Sequence, residues 1–169
     1  GIGCLVKKDK INLEPLIHGG KSTTKFRSGT PATALIASLA KALRLMYKNF
    51  DQKYNSVKEL NEYLVKGLSQ IEGIKVNNNE HTIPHILNIS VLGIKPETFQ
   101  HALEEKNIFI STQTACASGS GISTSVLEFT KSEERAKSSV RISLSYLTTK
   151  EELDETIKAI IECKERLSL

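Results

Sequence analysis

Residues 138–154 read SSVRISLSYLTTKEELD, and they join a strand to a helix. Val140, Ile142 and Leu144 alternate with polar or charged residues, which is typical of a strand with one buried face. Further along, Leu153, Ile157, Ile160, Ile161 and Leu167 share one face of a helical period, which predicts a helix over 150–167. This stretch therefore predicts a sheet that is covered by helices.

The alternation of a strand and the apolar spacing of a helix also occur earlier in the chain. Apolar runs predict further strands at 2–6, 16–17, 86–92 and 108–110. Helical spacing predicts helices from Pro31, with Thr30 as its N-cap, over 56–71 and over 96–106. The order indicates an α/β fold, an open two-layer domain with helices on one side of a small sheet.

Composition and charge exclude several classes of protein. The chain has 169 residues and a net charge of +4, and the first 30 residues carry six Lys or Arg against two acids. This basic segment has Phe26 as its one aromatic residue, so we expect no direct nucleic-acid binding and favour a small anion as its partner. No apolar run spans a bilayer, and we expect a cytoplasmic protein with no membrane partner.

The three cysteines, Cys4, Cys116 and Cys163, have neither disulfide nor metal-ligand spacing, and the four histidines do not add a metal site. Cys116 lies in STQTACASGS, residues 111–120, and the polar composition of residues 111–125 predicts a flexible loop. An accessible thiol there is either a nucleophile or an incidental surface cysteine. For Cys4 we expect burial in a strand, and for Cys163 packing on the last helix.

Two other stretches are candidates for binding. Residues 18–33, HGGKSTTKFRSGTPAT, combine glycines, hydroxyls and positive charge ahead of a helix, as a phosphate cradle does, although an ordinary solvated loop has the same composition. Arg141 lies on the polar side of its strand, where it is either a solvent-facing side chain or a clamp for a carboxylate. The residues alone favour the solvent-facing alternative.

Taken together, three stretches resemble the cysteine desulfurases of the NifS/IscS type, which are class-V aminotransferases of the pyridoxal 5'-phosphate (PLP) fold type I. The stretches are the GIG opening with LEPLIHGG and RSGT, the STQTACASGS loop, and SSVRISLSYLTTKEELD. The resemblance covers the whole chain as the C-terminal part of such an enzyme. It implies that residues 1–30 are a remnant of the large PLP-binding domain and that residues 31–169 are the small domain, with a mostly antiparallel sheet.

The resemblance also implies a role for three residues. Cys116 attacks the sulfur of an L-cysteine substrate, becomes a persulfide and leaves L-alanine. Arg141 holds the substrate carboxylate, and Thr30 reaches the cofactor phosphate of the other subunit in a homodimer. The sulfur then passes to an acceptor such as an iron-sulfur scaffold or a tRNA-thiolation enzyme.

In that family the GIG stretch follows the lysine that forms the Schiff base with PLP, and this lysine is not among the 169 residues. We therefore expect a fragment that is inactive alone. Two alternatives remain open: a selenocysteine lyase, and a non-catalytic homologue that carries sulfur or docks partners.

Overall fold

The computed structural model describes residues 1–20, 24–112 and 121–168. It divides into two compact units, Gly1–Phe50 and Asp51–Leu169. The assignment of residues 1–30 to a large domain and of 31–169 to a small domain stays a prediction, since this division does not identify either domain.

In the first unit α1 spans Thr33–Tyr47, and none of the unit's described residues is buried. The predicted strands at 2–6 and 16–17 are wrong, because an apolar run becomes a strand only where another strand pairs with its backbone. Cys4, expected in a buried strand, is exposed. Thr30 is not the N-cap: that position is Ala32, and the carbonyl of Pro31 accepts a 2.9 Å bond from the amide of Thr33.

The second unit contains a three-stranded antiparallel sheet in the order β1-β2-β3. Its strands are β1, Ile74–Val76; β2, Ile86–Val91; and β3, Ser139–Ser143. Its helices are α2, Phe50–Leu68; α3, Pro96–Glu104; α4, Thr124–Thr130; α5, Glu133–Lys137; and α6, Lys150–Leu167. Phe50, the first residue of α2, belongs to the first unit.

The core lies on one face of this sheet. Leu87 and Ile89 of β2 are fully buried, and they belong to one apolar cluster with Leu64 of α2, Phe99 of α3 and Ile160 of α6. Burial of side chains of this size stabilises the fold by about 1.5–3 kcal/mol each. The predicted α/β fold, with a small antiparallel sheet and its long helices on one side, is confirmed.

The opposite face of the sheet is polar, and sequence patterns missed two short helices on this side: α5, which contacts β2, and α4, which packs on α5. Ser90 of β2 is buried there, and its hydroxyl donates a 2.8 Å bond to the carbonyl of Arg135 in α5. Ser123 and Ser132 cap α4 and α5 by accepting from backbone amides inside each helix. Both helices are shorter than two and a half turns, too short for a clear apolar period.

Two predictions about strands are also corrected in this unit. Residues 108–110 form no strand, and only Ser111 makes an isolated bridge, to Arg141. The sequence did not predict β1, which has three residues and pairs Ile74 with Val91. Strands this short carry almost no alternation, so pairing with a neighbouring strand decides them.

Candidate functional site

Arg141 occupies the middle of β3, with a chain segment on each side of it. In the β2–β3 pair it lies opposite Asn88. On its other side its amide donates to the carbonyl of Ser111 at 2.7 Å, and the amide of Ser111 donates back at 3.0 Å. Two flanking segments therefore fix the backbone of Arg141 and the direction in which its side chain leaves the sheet.

The side chain of Arg141 lies on the polar face and is partly buried. Its Nε atom is buried and has no hydrogen-bond partner among the described residues. This placement corrects the expectation of a solvent-facing arginine. A buried donor without a partner costs about 1–3 kcal/mol, so an anion that accepts from Nε would remove a real penalty.

A cavity of about 340 Å³ opens on this face of the sheet. Arg141 is the one charged side chain in its described lining, which is otherwise polar or apolar. The polar part includes Asn78, Asn88, Thr112, Ser123 and Ser125. A cavity with a single cation and many neutral hydrogen-bonding groups is suited to a small molecule that carries one negative group.

Thr112 and Ser123 mark the two ends of the segment that carries Cys116. Both residues line the cavity that contains Arg141. Cys116 itself lies outside the described residues, as does most of the predicted loop; within 111–125, residues 124 and 125 belong to α4 rather than to a loop. Since Cys116 is five residues from Ser111, the covalent chain limits its Cα to about 18 Å from the Cα of Ser111.

Thr30 lies in the first unit and is exposed. In the same basic segment, the Nζ atoms of Lys7 and Lys25 each lie 5.2 Å from the ring centroid of Phe26. Residues 21–23 are outside the described part of the chain. The structure thus locates Thr30 and Arg141 in different units, and the phosphate cradle at 18–33 stays a prediction.

Cys163 is buried in the core, as its position on the last helix predicted. Its thiol donates to the carbonyl of Ala102 at 3.4 Å, and burial raises the pKa of the thiol above its ordinary value. A thiol of this kind is a poor nucleophile.

Within residues 1–20, 24–112 and 121–168, no group of three His, Cys, Asp or Glu side chains is arranged to hold a metal ion, and no helix is long and apolar enough to cross a membrane.

Sequence reasoning missed a set of polar side chains beside Arg141. Asn77, Asn88, Ser90 and Arg135 form a hydrogen-bonded network on the polar face of the sheet. The alternation in ILNISV, residues 86–91, places Asn88 and Ser90 on the face opposite to Leu87 and Ile89. That signal could have identified Asn88, but its pairing with Arg141 depends on the strand register.

Residues 1–156 match the sequence pattern of the family described as Aminotransferase class-V. The chain belongs to the class-V aminotransferase family. Among its relatives, it is 37% identical over 162 residues to the cysteine desulfurase IscS of Methylobacillus flagellatus, covering 94% of this chain and 40% of that protein. It is 35% identical over 164 residues to the mitochondrial cysteine desulfurase of Saccharomyces cerevisiae, covering 95% of this chain and 33% of that one.

Solved structures give the same assignment. A NifS-like protein from Rickettsia africae matches with a TM-score of 0.75 and 29% identity over 92% of this chain and 41% of its own. A second NifS-like protein matches with a TM-score of 0.76 and 27% identity, over 95% and 40%. The resemblance to the NifS/IscS type and the fold of the PLP fold type I are confirmed. The chain spans about 40% of the length of the first relatives it matches.

Proposed function

We propose that this chain is part of a PLP-dependent cysteine desulfurase, whose complete protein converts L-cysteine to L-alanine and collects the sulfur on Cys116. One observation carries the proposal: Arg141, whose buried Nε has no hydrogen-bond partner among the described residues, lines a cavity whose lining also includes both ends of the segment with Cys116. The names of the relatives support the same reaction. The sulfur acceptor is an iron-sulfur scaffold or a tRNA-thiolation enzyme, and the complete protein is a homodimer.

Arg141 binds the carboxylate of the amino-acid substrate in this proposal. A guanidinium donates two parallel N–H bonds to a carboxylate, and one of the two donors is Nε, the atom that has no partner among the described residues. The backbone bonds from Ser111 hold the arginine in place, so little conformational entropy is lost when the substrate binds. The bound carboxylate then fixes which end of the substrate faces the cofactor.

The described residues fit this cofactor chemistry in part. PLP, when bound, supplies an electron sink for the carbon atoms of an amino-acid substrate. We propose that the hydroxyl of Thr30, which is exposed ahead of α1, donates to the cofactor phosphate of the other subunit, and that Arg141 serves the substrate. The lysine that anchors the cofactor belongs, in this proposal, to the part of the relatives that this chain does not span.

Cys116 acts as the nucleophile. Its thiolate attacks the substrate sulfur, a sulfur–sulfur bond forms, the carbon–sulfur bond of the substrate breaks, and its electron pair stays with the carbon skeleton, which takes up a proton and leaves as alanine. The covalent limit of about 18 Å between the Cα atoms of Cys116 and Ser111 allows the thiol to reach a substrate held at Arg141. The persulfide is the form in which sulfur reaches the acceptor.

The test of the nucleophile uses the full-length holoprotein and measures sulfide release from L-cysteine. We expect Cys116→Ser to abolish release and to retain the absorbance of the bound cofactor. Cys163→Ala is the matched control, because this buried thiol packs in the core away from the cavity, and it should retain release. Unchanged release in Cys116→Ser would remove Cys116 from the reaction.

Arg141→Ala should raise the KM for L-cysteine by roughly 10- to 150-fold, since a hydrogen bond to a charged group contributes about 1.5–3 kcal/mol. Arg166→Ala removes an arginine that pairs with Glu105 on the surface, and it should leave the KM unchanged. An unaltered KM in Arg141→Ala would contradict the carboxylate clamp.

The 169 residues alone should release no sulfide, and release by this chain without further residues would overturn the proposed division of roles.

A further inference from the structure

Arg135 determines the orientation of one amide on the polar face of the sheet. Its Nε donates to Oδ1 of Asn77 at 2.8 Å, and its Nη2 donates to the carbonyl of Val76 at 2.6 Å. Because a guanidinium has donors and no acceptor, only the oxygen of the Asn77 amide can face it. The nitrogen of that amide must therefore face the other way.

The amide of Asn77 in turn orients Asn88. Nδ2 of Asn77 donates to Oδ1 of Asn88 at 2.6 Å and to the hydroxyl of Ser90 at 2.8 Å. Because Asn77 offers a donor here, Asn88 must present its oxygen to it. The opposite end of the Asn88 amide is its NH₂ group, a donor, and this end is left for the cavity that Asn88 lines.

The backbone of Asn88 is held as firmly as its side chain. Its amide donates to Oδ1 of Asn78 at 2.7 Å, and its carbonyl accepts from the amide of Asn77 at 2.8 Å. In the antiparallel pair, Asn88 lies directly opposite Arg141, so the two side chains leave the same face of the sheet. Residues opposed in this way have Cβ atoms about 4.5–5.5 Å apart.

We propose that Asn88 is a second ligand for the substrate carboxylate, and that Arg135 and Asn77 are positioning residues that aim its NH₂ group beside Arg141. This inference rests on the proposed function. A carboxylate has about four lone-pair sites, and a guanidinium fork uses two of them. A neutral amide donor can occupy a third without adding a second positive charge, so one anionic group is matched by one cation.

The test compares two ligands that differ at one group. L-Alanine carries the carboxylate, whereas L-alaninamide has an uncharged amide in its place, and calorimetry with the full-length holoprotein gives the ratio of their dissociation constants. We expect Asn88→Ala to reduce the preference for L-alanine about tenfold, because a donor to a charged group is lost. Binding of L-alaninamide should change much less.

A second variant tests the relay without touching Asn88. In Asn77→Leu the side chain offers no donor to Asn88 and adds no charge to the cavity that Asn77 lines, so the oxygen of Asn88 is no longer held away from the cavity. This variant should lower the acid preference in the same direction as Asn88→Ala does. Asn79→Ala is the matched control: Asn79 bonds to Thr82 and His81 in an exposed turn, and the preference should stay as in the wild type.

The outcomes separate this inference from the proposed function. An equal loss of affinity for both ligands, or an unchanged preference in either variant, would overturn the role of Asn88 and leave the desulfurase proposal standing. If Asn88→Ala does not fold, the preference measured in Asn77→Leu decides the matter. Failure of the proposed function would instead appear as no sulfide release from the wild-type holoprotein.

Discussion

Glu162 and Lys106 form an ion pair that joins α6 to the residues following α3. Their Oε2 and Nζ atoms are 2.5 Å apart. The hydrogen bond from Lys106 lowers the pKa of Glu162 below its ordinary value of 4.5, and the reciprocal bond raises the pKa of Lys106 above 10.5. A depressed carboxyl pKa means that the folded state favours the ionised form, so this contribution is present above pH 4.5 and is lost as the pH falls through the lowered pKa.

We expect Glu162→Gln to lower the free energy of unfolding near neutral pH and to have a shrinking effect as the pH falls well below 4.5, where the wild-type carboxyl is also protonated. Urea unfolding of both proteins across this range measures the difference. Glu165→Gln on the same helix is the control, since its side chain is in no ion pair within the described chain. A pH-independent difference for Glu162→Gln would contradict the assignment.

At the scale of elements, α6 shows how a local sequence can define a helix completely. Thr149 is the N-cap, and its hydroxyl accepts from the amide of Glu152 at 3.2 Å while the Glu152 carboxylate accepts from the amide of Thr149 at 2.9 Å. This capping box satisfies two amides that the first turn would leave unpaired. The observed bounds, Lys150–Leu167, are the ones that the sequence predicts.

Thr149→Ala should reduce the free energy of unfolding by about 1 kcal/mol, because it removes the capping oxygen. Thr156→Ala makes the same substitution inside α6, at a partly buried position where alanine favours the helix, and should change stability by less than about 0.5 kcal/mol. Chemical denaturation of the two variants and the wild type measures both values. Equal effects of the two substitutions would show that the cap does not stabilise α6.

The whole molecule divides into parts of different character. Every residue of the apolar core cluster, from Val57 to Cys163, lies in the unit Asp51–Leu169. None of the described residues of Gly1–Phe50 is buried, and the exposed apolar side chains of α1 include Leu35, Ile36 and Met46. A unit without a core does not offset the entropy of ordering its chain.

Residues 51–169 should therefore fold when they are expressed without the first 50, and residues 1–50 should not fold by themselves. Circular dichroism and urea titration of the two pieces measure this: the larger piece should unfold in one cooperative transition, and the smaller one should show none. A gradual loss of signal in residues 51–169 would contradict the independence of this core.

Phe99→Ala in the piece 51–169 should abolish or weaken its unfolding transition, since emptying such a site costs about 3–5 kcal/mol.

The sequence by itself determined the features of this protein that depend on local order: the bounds of helix α6, the strand at β2, the α/β class, and the three motifs that resemble cysteine desulfurases. It could not determine β1, α4 and α5, because elements of three to seven residues are selected by what they pair with or pack against. The roles of Cys116 and Thr30 stay predictions.

Only the tertiary structure decided the surroundings of Arg141. Alternation placed this arginine on a polar face, and a polar face is exposed unless something covers it. The bridge from Ser111 and the register with Asn88 fix its place in the sheet, its Nε atom is buried, and its side chain lines a cavity together with residues of α4. The two pairings join Arg141 to residues that are 30 and 53 positions away in the chain, and no local pattern encodes such pairings.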